Sequence, residues 1–191
     1  MISYLLAGPA EEPVSLAEAR AFLRLDDTAE DGLVTTLIAA ARLHVESLTG
    51  RALVNQSWRL VLDAWPDLPV LTLPVSPLVS LVAITAFDAD GDEHALSLSQ
   101  FQLEGGVTPA RLLLPASIAG MPALRERLGL EIDYVAGHGT AADVPADLKR
   151  ALLALVAHWF EHRDALVVAG SGAVIPAGFD RMVAPYRQVR L

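Results

Sequence analysis

Two histidines four residues apart, His158 and His162, have the residue type and the spacing that could hold a metal ion. Side chains at this spacing share one face of a helix. A zinc protease would place a glutamate directly after the first histidine, but Trp159 stands there. We therefore predict no metal site, and expect the pair to pack at a helix end, where a cation interacts favourably with the helix dipole.

Two glycine-rich segments could hold a phosphate or position a catalytic imidazole. Gly170–Gly172 is similar to part of a phosphate loop, but it lacks both the preceding strand and a Gly-Lys-Ser/Thr sequence, so we discount it. His138 lies between Gly137 and Gly139, and no motif places a serine or an acid beside it. We interpret that segment as a surface turn.

Four closely spaced acids, Asp88, Asp90, Asp92 and Glu93, are similar to the start of a calcium loop. Such a loop needs a glycine at its sixth position and a glutamate at its twelfth, and here these positions hold Glu93 and Ser99. A hairpin turn is the better interpretation. The sequence thus predicts no catalytic, cofactor-binding or metal-binding residue, and no enzyme.

Composition excludes further classes of protein. The chain of 191 residues is 53% apolar and has no cysteine, which excludes disulfides and thiolate sites and fits synthesis in the cytoplasm. Its N-terminal residues do not resemble a signal peptide, and no apolar run is long enough to cross a bilayer. The net charge of −9 gives no general attraction for nucleic acid. We expect a soluble protein that buries apolar surface against partners.

Three helices are predicted by apolar spacing. The longest covers Val144–Arg163, with Asp143 as its cap and Leu155 and Trp159 in the core, and it is apolar on most of its circumference. Two shorter helices come first in the chain. Ser15 and Glu18 form a capping box before a helix at 16–23 that buries Phe22, and a helix at 29–48, capped by Thr28 or Asp31, ends at Gly50.

Between these helices the spacing of apolar residues changes from helical to alternating. Short strands are predicted around 58–62, 70–73, 79–87, 93–98, 101–103, 111–114 and 128–135. We therefore predict an α+β fold in a single domain. It consists of N-terminal helices at 14–50, an inserted small antiparallel β unit at 55–136, a long helix at 144–164 and an extended C-terminal arm at 165–191, in which Phe179–Ala184 forms one helical turn.

Three sets of segments, in this order, resemble one protein family. The first set is Pro13–Asp26 and Glu46–Leu53, the second is Trp58–Asp63, Pro74–Leu81 and Asp88–Gly91, and the third is Asp133–Gly139, Val144–Arg163 and Ala184–Leu191. Together they resemble the head–tail connector (adaptor) proteins of long-tailed bacteriophages and of phage-derived gene transfer agents.

The resemblance implies a structural role in the virion, at the junction of capsid and tail. Such adaptors form a dodecameric ring beneath the portal protein and receive a stopper or tail-completion protein on the other side. Their channel passes DNA without specific binding, and they contact no membrane and need no cofactor. By this resemblance the arm docks on the portal through Tyr186, Arg187, Val189, Arg190 and Leu191, with Phe179 and Met182 as anchors.

Four alternatives stay open at this point, two for the arm and two for the whole chain. The arm could fold back on its own helices, or be an ordinary solvated tail. The chain could be a DNA-binding accessory protein, which would need a local basic stripe. It could also be a soluble enzyme whose site is not recognised.

Overall fold

The helices and the strands of the computed structural model separate into two units. The structure describes residues 1–104, 106–115, 120–162, 175–176 and 178–187. A helical unit consists of Glu11–Val54 and Gly139–Leu191, and a β unit consists of Met1–Ala10 and Asn55–His138. The α+β class is confirmed, since four helices and two antiparallel sheets are present in the described residues.

The helical unit contains α1 (Leu16–Leu23), α2 (Asp31–Thr49), α3 (Ala146–Glu161) and the short α4 (Phe179–Val183). Both N-terminal helices and the long helix are therefore confirmed. α1 starts at the predicted capping box, in which the Ser15 hydroxyl accepts from the Glu18 N–H at 3.1 Å. The Glu18 carboxylate accepts from the Ser15 N–H at 2.7 Å. The Ser15 N–H and the Ser15 hydroxyl both donate to this carboxylate, and these two bonds lower the pKa of Glu18.

Two predicted helix caps are wrong. The residue before α2 is Glu30, whose side chain makes no capping bond, and Asp31 is already the first helical residue. Asp143 does not cap α3. It closes a capping box with Thr140 around a 3-10 turn, Ala141–Asp143, and α3 begins only after Pro145. An acid that follows a threonine by three residues can either bond to that threonine or cap the helix that comes after it. Asp143 bonds to Thr140.

Gly139 makes this bond possible. Its φ of +124° favours glycine, and a Cβ on it would lie 2.5 Å from the Asp143 Oδ2 atom. The predicted surface turn around His138 thus contains a position that only glycine fits. Gly50 ends α2 in the left-handed conformation that the sequence predicted, with a φ of 65°.

The core of the helical unit is built on α3. Leu148, Leu152 and Leu155 are completely buried, and they pack with Val34 and Ile38 of α2. Trp159 is only half-buried, at the edge of this core.

The prediction that Phe22 is buried is wrong. Its side chain is 37% exposed, and the guanidinium carbon of Arg150 lies 5.3 Å from the centre of its ring. A cation can cover an aromatic face favourably, so this position does not need an apolar neighbour.

The β unit contains eight strands: β1 (Ile2–Ala7), β2 (Gln56–Leu62), β3 (Val70–Thr72), β4 (Leu78–Phe87), β5 (Glu93–Ala95), β6 (Gln102–Glu104), β7 (Arg111–Leu113) and β8 (Leu130–Ala136). One antiparallel sheet has the order β1-β2-β8-β4-β5, and a smaller one has the order β3-β7-β6. All strands except β1 lie where the alternating pattern predicts them, within a few residues. β5 ends before the predicted Leu98, where a 3-10 turn, Leu98–Gln100, begins.

The larger sheet has one apolar face, and its other face carries charged residues. Leu60, Ile132 and Ile84 are direct neighbours across three strands and are buried. On the other face, Arg59 donates two hydrogen bonds to Asp133, at 2.6 and 2.7 Å, which raise the pKa of Arg59.

β1 is the strand that the sequence does not predict. It pairs with β2 from Ile2 opposite Val61 to Ala7 opposite Ser57. Its residues do not alternate between apolar and polar, because both of its faces are exposed. Alternation indicates a strand only where one face is buried and the other is not.

Arg42 links α2 to the segment that precedes α1. Its side chain donates to Glu12 at 2.8 Å and to Glu46 at 2.9 Å. Burial alone would lower the pKa of Arg42, but these two carboxylates raise it. The other oxygen of Glu46 accepts from the N–H of the buried Leu53 at 2.9 Å. Glu46 thus fixes the segment that follows α2.

We expect Glu46→Ala to lower the free energy of unfolding by about 1–3 kcal/mol, because the Leu53 N–H would lose its acceptor inside the protein. Urea denaturation measures the change. Ser47→Ala, at an exposed position of the same helix, is the matched control and should change stability by less than about 0.5 kcal/mol. Equal midpoints for the two variants would contradict this role of Glu46.

Candidate partner-binding surfaces

The described part of the C-terminal arm, Gly178–Arg187, returns to the helical unit. Gly178 has a φ of 88°, and α4 starts directly after it. A 3-10 turn, Ala184–Tyr186, follows α4. The predicted helical turn at Phe179–Ala184 is therefore present.

α4 is held by its apolar side. Phe179 and Val183 are completely buried in the core of the helical unit, and Met182 and Tyr186 pack against it half-buried. The ring centre of Phe179 lies 5.9 Å from that of His44 in α2, and His44 lies 5.8 Å from Trp159 in an edge-on contact. The two predicted anchors, Phe179 and Met182, thus contact the chain's own helices.

Arg51 holds the end of this segment. Its Nε atom donates to the Tyr186 carbonyl at 2.8 Å, and its guanidinium carbon lies 5.8 Å from the centre of the Tyr186 ring. Burial lowers the pKa of Arg51. No sequence pattern indicates this contact, because 135 residues separate its two members.

The exposed side of α4 is polar. Arg187 donates to Asp180 at 2.5 Å, and both side chains lie in solvent. Residues 178–187 thus fold back on the chain's own helices, as one alternative from the sequence had it. Val189, Arg190 and Leu191 lie outside the described residues, and docking of the arm on a portal stays a prediction.

The two histidines at the end of α3 do not form part of a larger cluster in the described residues. Their ring centres are 4.4 Å apart, and the Nδ1 atom of His162 lies 2.9 Å from the His158 carbonyl oxygen. Within residues 1–104, 106–115, 120–162, 175–176 and 178–187, no group of three potential metal ligands occurs.

The acidic segment after β4 is the predicted hairpin turn between β4 and β5. One oxygen of Asp88 accepts from the N–H groups of Asp90 and Asp92, at 3.1 and 2.9 Å. The other oxygen lies 2.6 Å from the Nε2 atom of His94. The hydrogen bond with His94, together with the two N–H groups, lowers the pKa of Asp88. Both of its oxygens are used within the turn.

Apolar side chains are exposed at one edge of the larger sheet. On β1, more than two-fifths of the surface is exposed to solvent at each of Ile2, Tyr4, Leu5 and Leu6.

Among the described residues, no helix is both long enough and apolar enough to span a membrane.

A family model described as "Phage gp6-like head-tail connector protein" matches residues 13–100. The chain resembles head–tail connector proteins. The resemblance found in the sequence is thereby confirmed. Connectors of this kind are structural proteins of the head–tail junction, so the predicted structural, non-enzymatic role and the predicted location are confirmed at the level of the family.

Solved structures agree with this resemblance. The chain is 27% identical to a chain in the neck of an empty GTA particle computed with C6 symmetry, with a TM-score of 0.81. It is also 27% identical to chains in the virion of a native gene transfer agent particle and in the neck of a native GTA particle computed with C12 symmetry, with TM-scores of 0.82 and 0.75. Each match covers 100% of this chain and 97% of the other. No curated protein sequence matches significantly.

The anchoring of the arm can be tested by proteolysis. We expect Phe179→Ala to accelerate tryptic cleavage after Arg181 about tenfold or more, because loss of a buried phenylalanine costs about 3–5 kcal/mol and the segment must open to be cleaved. Arg187→Ala is the matched control, since it removes only the exposed ion pair with Asp180, worth less than about 1 kcal/mol, and leaves the residues beside the cleaved bond unchanged. An unchanged cleavage rate in Phe179→Ala would show that Phe179 does not hold the arm.

The acidic turn should loosen in acid. The lowered pKa of Asp88 means that its bonds stabilise the turn above about pH 4, the ordinary range of an aspartate, and are lost as the pH falls through the lowered value. We expect the Asp90 and Asp92 amide signals in NMR spectra to shift in that range. Asp88→Asn keeps an acceptor that does not titrate, so the part of the shift that occurs below the ordinary range of an aspartate should disappear; if that part persists, Asp88 is excluded as its cause.

Proposed function

We propose that this protein is one subunit of a dodecameric ring in the neck of a phage or gene transfer agent particle, between the portal and a stopper or tail-completion protein. The observation that supports this most is the similarity over the whole chain, helical and β units alike, to chains of gene transfer agent particles. A neck computed with C12 symmetry is among those structures, and a twelve-membered ring has that symmetry.

In this function the ring extends the DNA channel of the portal. The net charge of −9 repels phosphate groups, which favours passage of DNA without adhesion. The protein needs no cofactor for this role and contacts no membrane.

The arm is the part that we assign to the portal. Phe179 and Met182 hold α4 on the chain's own helices, so the residues after α4 start from a fixed position. Tyr186 and Arg187 lie at the surface end of that segment, and Val189, Arg190 and Leu191 follow. Arginine and tyrosine are favoured in interfaces because each combines a large contact area with polar groups. The Arg187 guanidinium lies in solvent beside Asp180, and a carboxylate of the portal could take the place of Asp180.

Two deletions test the arm without unfolding the chain. Removing residues 188–191 keeps every contact described for α4, and removing residues 185–191 also removes Tyr186 and its bond to Arg51. We expect both variants to stay folded and to lose binding to the portal ring. Light scattering after size exclusion, with the chain alone and then mixed with the portal, gives the mass of each complex.

Arg181→Ala is the control, because it removes an exposed arginine of the same helix that the proposal does not assign to the portal. It should bind like the unchanged chain, at about one copy per portal subunit. Unchanged binding by both deletion variants would overturn the assignment of the arm. A failure of the unchanged chain to bind any portal ring would overturn the proposed function itself.

A further inference from the structure

The two edges of the five-stranded sheet are protected to very different degrees. At one edge, β5 has only three residues and follows a turn that contains Asp90 and Asp92. At the other edge, β1 has six residues, and among the described strands it pairs only with β2. Proteins usually protect such an edge with a lysine, a proline or a very short strand, because free backbone groups invite another strand.

β1 has none of these protections. Residues 1–10 include no charged side chain, in a chain in which 19% of residues are charged. Ile2 is 55% exposed, and Leu5 and Leu6 are each 45% exposed. The register between β1 and β2 shifts between Leu5 and Ala7, which is the one irregularity along this edge. A strand with these properties is suited to pairing with another strand along its free edge.

A second edge with no paired strand among the described residues lies on β4 of the same sheet. β5 pairs only with Thr85–Phe87, so no described strand pairs with the first half of β4, Leu78–Ala83, on that side. The 3-10 turn Leu98–Gln100 contacts β4 without forming a strand pair. The pairing of β4 with β8 skips Val79 and Val82, and these are 50% and 55% exposed. Residues 68–87 contain no charged side chain.

The directions of the strands make these two edges compatible. β1 is antiparallel to β2, β2 to β8, and β8 to β4, so β1 and β4 run in opposite directions. If a second copy continues the sheet in the same orientation, its β1 lies antiparallel to β4 of the first copy. The two edges are similar in length and are both uncharged and apolar.

A closed ring of subunits requires two different contact surfaces on each subunit, such as these two edges. Subunits related by rotation in a ring larger than a dimer contact each other through two different surfaces, whereas pairing of one surface with itself ends at a dimer. β1 and the first half of β4 are two different surfaces at separate edges of one sheet.

We propose that β1 of one subunit packs along Leu78–Ala83 of β4 in the next subunit, and that this contact joins neighbouring copies in the ring. The inference rests on the proposed function, since it assigns a surface to the ring contact. The partner at each edge is a second copy of this chain.

Cysteine cross-linking tests the contact, because the chain has no cysteine of its own. The double variant Leu5→Cys/Val79→Cys is mixed with the portal ring and treated with a short bifunctional maleimide. We expect a ladder of covalent oligomers on a denaturing gel, while the single variants Leu5→Cys and Val79→Cys stay monomeric. A ring of the expected mass without a ladder would overturn the proposal, and so would dimers of Leu5→Cys alone.

A charge on the edge gives a second, independent test. We expect Leu5→Lys to keep the fold, as judged by circular dichroism, and to lose the closed ring on the portal. Leu68→Lys is the matched control, because Leu68 is 71% exposed and lies outside both edges. Ring formation by Leu5→Lys would overturn the proposed contact. If the unchanged chain forms no ring with the portal, the proposed function fails and the contact fails with it.

Discussion

The helical unit depends on the need to cover α3, which is apolar on most of its circumference. Leu148, Leu152 and Leu155 point into a core that α1 and α2 complete only in part. Phe179 and Val183, which follow α3 by nearly twenty residues in the sequence, are as deeply buried as the leucines. The last described helix is therefore part of the core, although its exposed side is polar. A segment that serves the core with one side can present its other side to a partner in a fixed position.

Features determined by neighbours in the sequence could be predicted from it. The capping box of Ser15 and Glu18 and the left-handed end of α2 at Gly50 require only a few adjacent residues. The cap of α3 was predicted wrongly because Asp143 has two possible partners, and only the folded chain decides between them. β1 could not be predicted, since pairing with β2 depends on a strand more than fifty residues away. For the same reason, nothing in the sequence indicates that Arg150 covers Phe22.

The residues of the candidate surfaces also fall into two groups, those that were predicted from the sequence and those that only the folded chain shows. The family resemblance predicted Phe179 and Met182 as anchors of the arm, and both pack against the core of the helical unit. The sequence did not indicate His44 or Arg51, which hold the arm from α2 and from the segment after it. Their roles follow from tertiary contacts alone. The edges of the sheet were equally hidden, since a strand edge exists only once the order of strands is known.

Counted across the larger sheet, the strands from one edge to β4 are β1, β2, β8 and β4, which makes four. That this number is even has a consequence for a particle whose two ends differ. With an even number of alternating strands, every copy that extends the sheet antiparallel can keep one orientation. With an odd number, successive copies would have to alternate, up and down, to preserve antiparallel pairing. An assembly of alternating copies would present the same mixture of surfaces to both sides. The even count permits an assembly whose two faces differ, as a part that joins two unlike structures requires.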